Sequence, residues 1–228
     1  MSTPALHRPP SALSSIHGLV SSSAAWPLRS GHAVPRWAIA SAGLAPVVGT
    51  AGYLVAGTLQ PTSYSPVRDT VSVLAGYAGT DRWLMTSALF LVGGFYLLTA
   101  AGLAGLRRSA RVLLVVAGVA AIGIATSPEP AAGPTVRHLA WTVLGAVTIA
   151  VWPLFAARRG SPRPLLLSMR GSIAVTIVFI GLVCWFLAEA QGGSTLGLAE
   201  RVTTSIEAMW PFAVALTLRR TGPGRGSQ

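Results

Sequence analysis

The sequence predicts an all-α, polytopic membrane protein: a bundle of six transmembrane helices with a short outer amphipathic helix between the first two. Of the 228 residues, 52% are hydrophobic and only 10% are charged, whereas soluble proteins contain about 25% charged residues. The mean hydropathy is +0.60, and the hydrophobic residues are gathered into runs. We therefore expect most of the chain to be surrounded by lipid.

Six hydrophobic runs are the candidate transmembrane helices. Crossing ~30 Å of hydrocarbon takes about 20 helical residues; most runs approach this length, and the third and sixth are shorter. The runs span 37–57, 83–106, 112–126, 139–157, 172–190 and 202–218.

The basic residues indicate how these helices are oriented. The 17 basic residues are all arginines and outnumber 6 acidic residues, which makes the net charge +11. They lie in short clusters between hydrophobic runs, so we expect a topological role and no nucleic-acid partner. In a six-helix arrangement Arg68, Arg82, Arg137 and Arg201 fall on one side and the other arginines on the opposite side. Because cytoplasmic loops carry the excess of arginine, both termini are expected in the cytoplasm and the protein in the plasma membrane.

The chain divides into one membrane domain and two tails. Residues 1–35 are rich in Ser, Pro and Ala, which is typical of a disordered segment. We expect a disordered cytoplasmic tail over 1–35, the six-helix transmembrane domain over 36–220, and a second disordered cytoplasmic tail over 221–228.

The long connection at 58–82 predicts the outer amphipathic helix. From Ser65 to Tyr77, hydrophobic residues recur at helical spacing, and Ser65-Pro66 is typical of a helix start. The polar side of this helix would carry Arg68, Asp69 and Ser72. Such a helix could cover a cavity, or it could lie in the membrane interface as an anchor.

Two further polar residues are candidates for a site. His138 lies directly before the fourth run, and an imidazole suits a proton carrier, although a histidine at a helix end beside Trp141 is also common. Glu207 lies about two turns, or ~10 Å, below the outer end of the last helix, counted from Glu200. A carboxyl group at that depth usually faces the bundle interior and has a partner, for which His138, Arg68 and Arg201 are the candidates.

The candidate polar site therefore consists of Arg68, Asp69, Ser72, His138 and Glu207. The spacing of histidine, cysteine and carboxylate residues predicts no metal site and no cofactor, and the common hydrolase and phosphate-binding motifs are absent. Catalytic residues are thus not identified from the sequence.

Three features are shared with a known family: the stretch from Tyr64 to Leu74 followed by Gly76, the pair Arg137-His138, and the spacing of the runs. In these features the sequence resembles the domain of unknown function 998 family. The resemblance covers roughly residues 37–220. It implies a prokaryotic six-helix membrane protein and implies no activity.

Three functions are compatible with these residues. The first is transport, of a small solute or coupled to protons, through an outward-facing polar cavity. The second is a membrane-embedded enzyme acting on a lipid or a lipid-linked substrate, and the third is a scaffold without chemistry. The bilayer is the expected partner, and a small molecule or lipid the expected ligand.

Reporter fusions test the orientation. We expect cytoplasmic activity for reporters placed after Arg163 and after Gln228, and external activity for one near Gly79, because of the arginine distribution. A cytoplasmic signal at Gly79 would overturn the orientation.

Overall fold

The computed structural model describes residues 33–158 and 164–221. The regular secondary structure in this part of the chain is helical, without strands. The predicted tails lie almost entirely outside the described residues, so they stay predictions. The helices of the described residues are α1 (Arg36–Thr58), α2 (Val71–Ala75), α3 (Trp83–Gly102), α4 (Arg108–Ala125), α5 (Val136–Ala156), α6 (Met169–Glu189) and α7 (Leu196–Arg220), with a 3₁₀ turn at Leu165–Leu167 before α6.

The polytopic, all-α class is confirmed. Within the described residues, α1, α3, α4, α5 and α6 are long and apolar enough to cross a membrane, by length and composition. Helix α7 has 25 residues but is not among these candidate spans, since it carries charged residues along its length. The count of six spans therefore stays a prediction.

The six long helices form a ring in chain order, in which each packs against the next and α7 closes the ring against α1. Small residues allow the backbones to approach. Gly93 of α3 and Gly118 of α4 face each other so closely that a Cβ on Gly93 would lie 2.7 Å from the Gly118 carbonyl oxygen. Close contact through glycine is how helices associate in lipid, where no hydrophobic force separates helix from solvent.

The distribution of side chains also fits a lipid environment. Many of the buried residues are alanines, accompanied by threonine and serine, such as Ser41 and Thr99, whose hydroxyls are 3.0 Å apart. Large hydrophobic side chains point outward instead, for example Val47, Leu54 and Ile177, each more than half exposed. A water-soluble protein rarely exposes such an extended apolar surface.

The 58–82 connection contains the expected short helix, but the helix begins later than predicted. The amide groups of Arg68 and Asp69 both donate to the Ser65 carbonyl oxygen, so Ser65 starts a single turn. This turn stops at Asp69, because the backbone of Thr70 is extended. Thr70 is also the N-cap of α2, since its hydroxyl accepts a hydrogen bond from the Val73 amide at 3.3 Å. We call residues 59–82 the cap segment.

The cap segment turns one apolar face to the bundle. Val71 and Leu74 are buried as expected, whereas Val67 is exposed. The buried pair packs with Ala56, Met85 and other residues of α1 and α3. The predicted amphipathic character thus holds for the five-residue helix and not for the preceding turn.

Adjacent glycines of α3 offer a test of the close packing. Gly93→Ala should lower the free energy of unfolding by about 1–3 kcal/mol, because its Cβ would meet backbone and side-chain atoms of α4. Gly94→Ala is the matched control: a Cβ there meets nothing within 4 Å, and the better helix propensity of alanine should leave stability equal or higher. Thermal unfolding of both variants in one detergent would decide, and equal losses would contradict the packing.

Candidate functional site

Arg201, near the start of α7, holds the cap segment in place. The Arg201 side chain is only 9% exposed. Its Nη1 donates to three backbone carbonyl oxygens, at 2.7 Å to Pro66, 2.8 Å to Asp69 and 2.8 Å to Gly197, and its Nη2 donates to the Tyr64 hydroxyl. A guanidinium group suits this position because it presents several donors in one rigid plane.

Two aromatic rings complete the surroundings of Arg201. Its Cζ lies 5.5 Å from the ring centroid of Tyr53 and 6.0 Å from that of Tyr64, which are cation–π distances. Burial raises the pKa of the Tyr64 hydroxyl, and the positive charge of Arg201 opposes this effect. Tyr64 therefore stays a neutral phenol, able to accept from Arg201.

The preceding residue, Glu200, anchors the start of α2. One oxygen of its carboxylate, Oε2, accepts a hydrogen bond from the Val71 amide at 2.6 Å, and the carboxylate also interacts with the Ser72 hydroxyl. A third link joins the two segments through backbone atoms, since the Leu198 amide donates to the Val67 carbonyl oxygen at 3.0 Å.

Asp69 and Arg68, both predicted site residues, lie on the cap segment. The Asp69 carboxylate accepts a hydrogen bond from the Ser65 amide at 2.7 Å and so closes its own turn. Arg68 is exposed. These side chains shape the surface of the cap segment and are not among the residues that line the cavity described below.

His138 and Ser72, also predicted, are brought together across the bundle end. His138 is 3% exposed, and its Nε2 lies 3.0 Å from the Ser72 Oγ. Its other ring nitrogen, Nδ1, lies 2.7 Å from the carbonyl oxygen of Ser127. Arg137 holds the same turn, donating to the Ser127 hydroxyl and the Thr126 carbonyl oxygen, each at 2.7 Å.

Glu129, in the connection between α4 and α5, is a third polar neighbour. Its carbonyl oxygen accepts from the Tyr77 amide at 2.9 Å, an approach that requires Gly76, since a Cβ at that position would lie 2.7 Å from the same oxygen. Burial raises the pKa of the Glu129 carboxyl group, and His138 opposes the shift. Glu129 also interacts electrostatically with Glu200.

A cavity of about 190 Å³ lies inside the bundle beneath the cap segment, with lining residues from every helix of the described chain. Most of its wall is apolar, formed by small residues such as Ala117, Ala121 and Gly145. Polar groups reach it from one side. They are Tyr53, Ser72, Thr203, Thr204, Ser205, Glu200 and Glu207, with Thr50, Thr142 and Tyr96 elsewhere on the wall.

Glu207 is the deepest acidic group of the cavity. It is 2% exposed, and its Oε1 has no hydrogen-bond partner. Tyr96 on α3 is close enough to interact with it electrostatically. The cations considered as partners are placed elsewhere, since Arg201 and His138 bond to the cap segment and its neighbours and Arg68 is exposed.

The structure thus pairs His138 with Ser72, and Ser72 and Glu207 line the same cavity. Sequence reasoning did not include Glu200, Arg201, Tyr64 or Glu129 in the site. A signal for Glu200 existed, because it lies seven residues before Glu207 and therefore on the same face of α7. Nothing in the sequence indicated that Arg201 reaches Tyr64. Within the described residues, no group of three or more His, Cys, Asp or Glu side chains could hold a metal ion.

The protein is an integral membrane protein, because its helices are long enough to cross a bilayer and its outer surface is apolar. Its polar cluster lies at one end of the bundle. Residues 39–217 match the family model described as "Protein of unknown function (DUF998)". This match covers most of the chain, and the protein belongs to that family. Comparison with curated proteins and with solved structures gives no match.

Replacing Arg201 tests its role as the anchor. Arg201→Met keeps an unbranched apolar stem but removes the guanidinium group. It leaves the carbonyl oxygens of Pro66 and Asp69 without their donor, at about 1–3 kcal/mol for each buried acceptor left unsatisfied. We expect faster amide hydrogen exchange across residues 64–75 and a lower unfolding temperature. Arg68→Met, at an exposed position of the same segment, is the control. Equal exchange in the two variants would contradict the anchoring role.

Proposed function

We propose that this protein binds a small amphiphilic molecule in the cavity inside its helix bundle, with the polar group of that molecule at Glu207. The observation that carries the proposal is the free Oε1 of Glu207 in a largely apolar cavity. A buried acceptor without a partner costs about 1–3 kcal/mol. A ligand that donates a hydrogen bond, such as an alcohol or an amine, would recover this energy while its apolar part fills the remaining space.

The size of the cavity limits the ligand. Its volume is about 190 Å³, compared with ~150 Å³ for an engineered apolar cavity that admits benzene and about 300–1,000 Å³ for ordinary ligand pockets. A single ring or a short alkyl chain would fit. A longer molecule would leave its remaining part outside the cavity.

The apolar wall favours an amphiphile over a fully polar solute. Polar solutes need many partners to replace their hydration, and here most of the surface that faces the cavity is apolar, with Glu200 and Glu207 as its acidic groups. Binding of an amphiphile is a step shared by a transporter and by an enzyme that acts on lipids. Exchange of a proton at Glu207 for a cationic ligand would supply proton coupling in the transport case.

The proposal includes the membrane arrangement expected from the sequence. In this arrangement six helices span the plasma membrane, and the tails at 1–35 and 221–228 are cytoplasmic. The cap segment would then be external, and the Ser72 end of the cavity would face the outer leaflet. The arginine distribution supports this orientation.

Photo-crosslinking tests the binding site. We expect a medium-chain alcohol bearing a diazirine, added to the protein in nanodiscs, to label cavity-lining peptides of α4 and α5. Ala121→Leu fills the cavity and should reduce this labelling several-fold, whereas Val119→Leu, on the exposed side of the same helix, should not. Thermal unfolding of both variants checks that overpacking, at about 1–3 kcal/mol, has not unfolded the protein.

A charge-neutral variant tests the role of Glu207 itself. Glu207→Gln keeps the shape of the side chain but changes its hydrogen-bonding groups, so labelling by an amine-bearing diazirine probe should fall more than labelling by a plain alkyl probe. Asp81→Asn is the control for removal of a carboxylate, since Asp81 is exposed and its φ of 46° is one that Asn tolerates. Labelling confined to outward-facing residues, in every variant, would refute the cavity as a binding site.

A further inference from the structure

The Ser72 hydroxyl has two features of a nucleophile. It lies at the start of α2, on the wall of the apolar cavity, and it is 3.0 Å from His138 Nε2. Nucleophilic serines need a base within hydrogen-bond reach, because the free hydroxyl is a weak nucleophile. An apolar cavity beside such a pair is the arrangement that an acyl chain requires.

The second nitrogen of His138 fixes the ring in the required state. A carbonyl oxygen only accepts hydrogen bonds, so the 2.7 Å contact with Ser127 places the hydrogen of a neutral imidazole on Nδ1. Nε2 then carries the lone pair that faces Ser72. A Ser72 hydroxyl that turns its one hydrogen toward Nε2, and away from the Glu200 carboxylate, donates in the direction that activation of a serine needs.

We propose that Ser72 and His138 form the nucleophile and base of an acyl-transfer site, with a short- or medium-chain carboxylic ester as the substrate class. The inference rests on the proposed function, since the acyl chain would occupy the same cavity. Ser72 Oγ bonds to the ester carbonyl carbon while its proton moves to His138 Nε2. Collapse of the tetrahedral intermediate breaks the bond to the alcohol, which leaves with that proton. Water, or a second alcohol, then takes the acyl group from Ser72 by the reverse sequence.

The charges around the pair shape this reaction. Glu129 interacts with His138, and a negative charge there stabilises the imidazolium form that arises during each step. Glu200 interacts with Ser72 itself, and a negative charge at that point opposes the developing oxyanion. Glu200→Gln keeps an acceptor for the Val71 amide and removes the charge, so it should increase the reactivity of Ser72.

An alkyl fluorophosphonate is the probe, because it reacts with activated serines: Oγ bonds to phosphorus, fluoride leaves and the base receives the proton. We expect modification of Ser72 in the folded protein, identified by peptide mass spectrometry, and no modification after heat denaturation. Ser72→Ala should abolish it, and His138→Gln should slow it by at least tenfold. Ser41→Ala is the matched control, since Ser41 is a buried serine that bonds to Thr99 and does not line the cavity, and it should label like the wild type.

The outcomes separate this inference from the proposed function. Absence of Ser72 modification, while the alkyl diazirine still labels the cavity, would overturn the acyl-transfer site and leave binding in place. A folded His138→Gln variant that labels at the wild-type rate would remove His138 as the base and refute the pair. Loss of both kinds of labelling in folded protein would refute binding and catalysis together.

Discussion

The buried guanidinium group of Arg201 is the constraint on which the end of the bundle depends. A charge withdrawn from water is costly unless hydrogen bonds and an opposite charge compensate it. The carbonyl oxygens of Pro66, Asp69 and Gly197 provide the bonds, and the neighbouring Glu200 provides the charge. The turn of the cap segment is therefore fixed where its carbonyl groups converge on Arg201. Gly197 is part of the same arrangement, because a Cβ there would overlap the Asp69 carbonyl oxygen.

The cavity follows from the way the helices pack in lipid. Small side chains turned inward allow close contact where backbones meet, as at Gly93 and Gly118. Where small residues from several helices face the same point, they leave space that no side chain fills, as beside Ala117 and Ala121. Glu207 lies in that space, and burial of a carboxyl group among apolar side chains is what makes a ligand donor favourable there.

The helices could be predicted from the sequence because most of the hydrophobic runs approach the length of a membrane span. The ends of the helices were harder to predict. Helix α7 begins at Leu196 and not near Val202, since its first turns contain Glu200 and Arg201, whose charges are compensated by residues 129 and 132 positions away. Hydropathy along the chain contains no information on such partners.

The candidate site was predictable only as a set of residue types. Asp69, Ser72, His138 and Glu207 all stood out because polar residues are rare near hydrophobic runs. Which of them meet depends on the path of the cap segment. The one-residue interruption at Thr70 ends the first turn and restarts the helix, and it thereby determines the direction of Ser72. A continuous helix from Ser65, the simpler interpretation of the spacing, would point that hydroxyl differently.

The cap segment is held by more hydrogen bonds on the α7 side than on the opposite side. On the α7 side, Arg201, Glu200 and Leu198 hold it through side-chain and backbone bonds. On the opposite side the bonds are those of Ser72 with His138 and of Tyr77 with Glu129. A segment held by more bonds on one side than on the other separates first on the side with fewer bonds. We therefore expect local opening of the cap segment to begin at Ser72 and Tyr77, while its ends stay joined to α1 and α3.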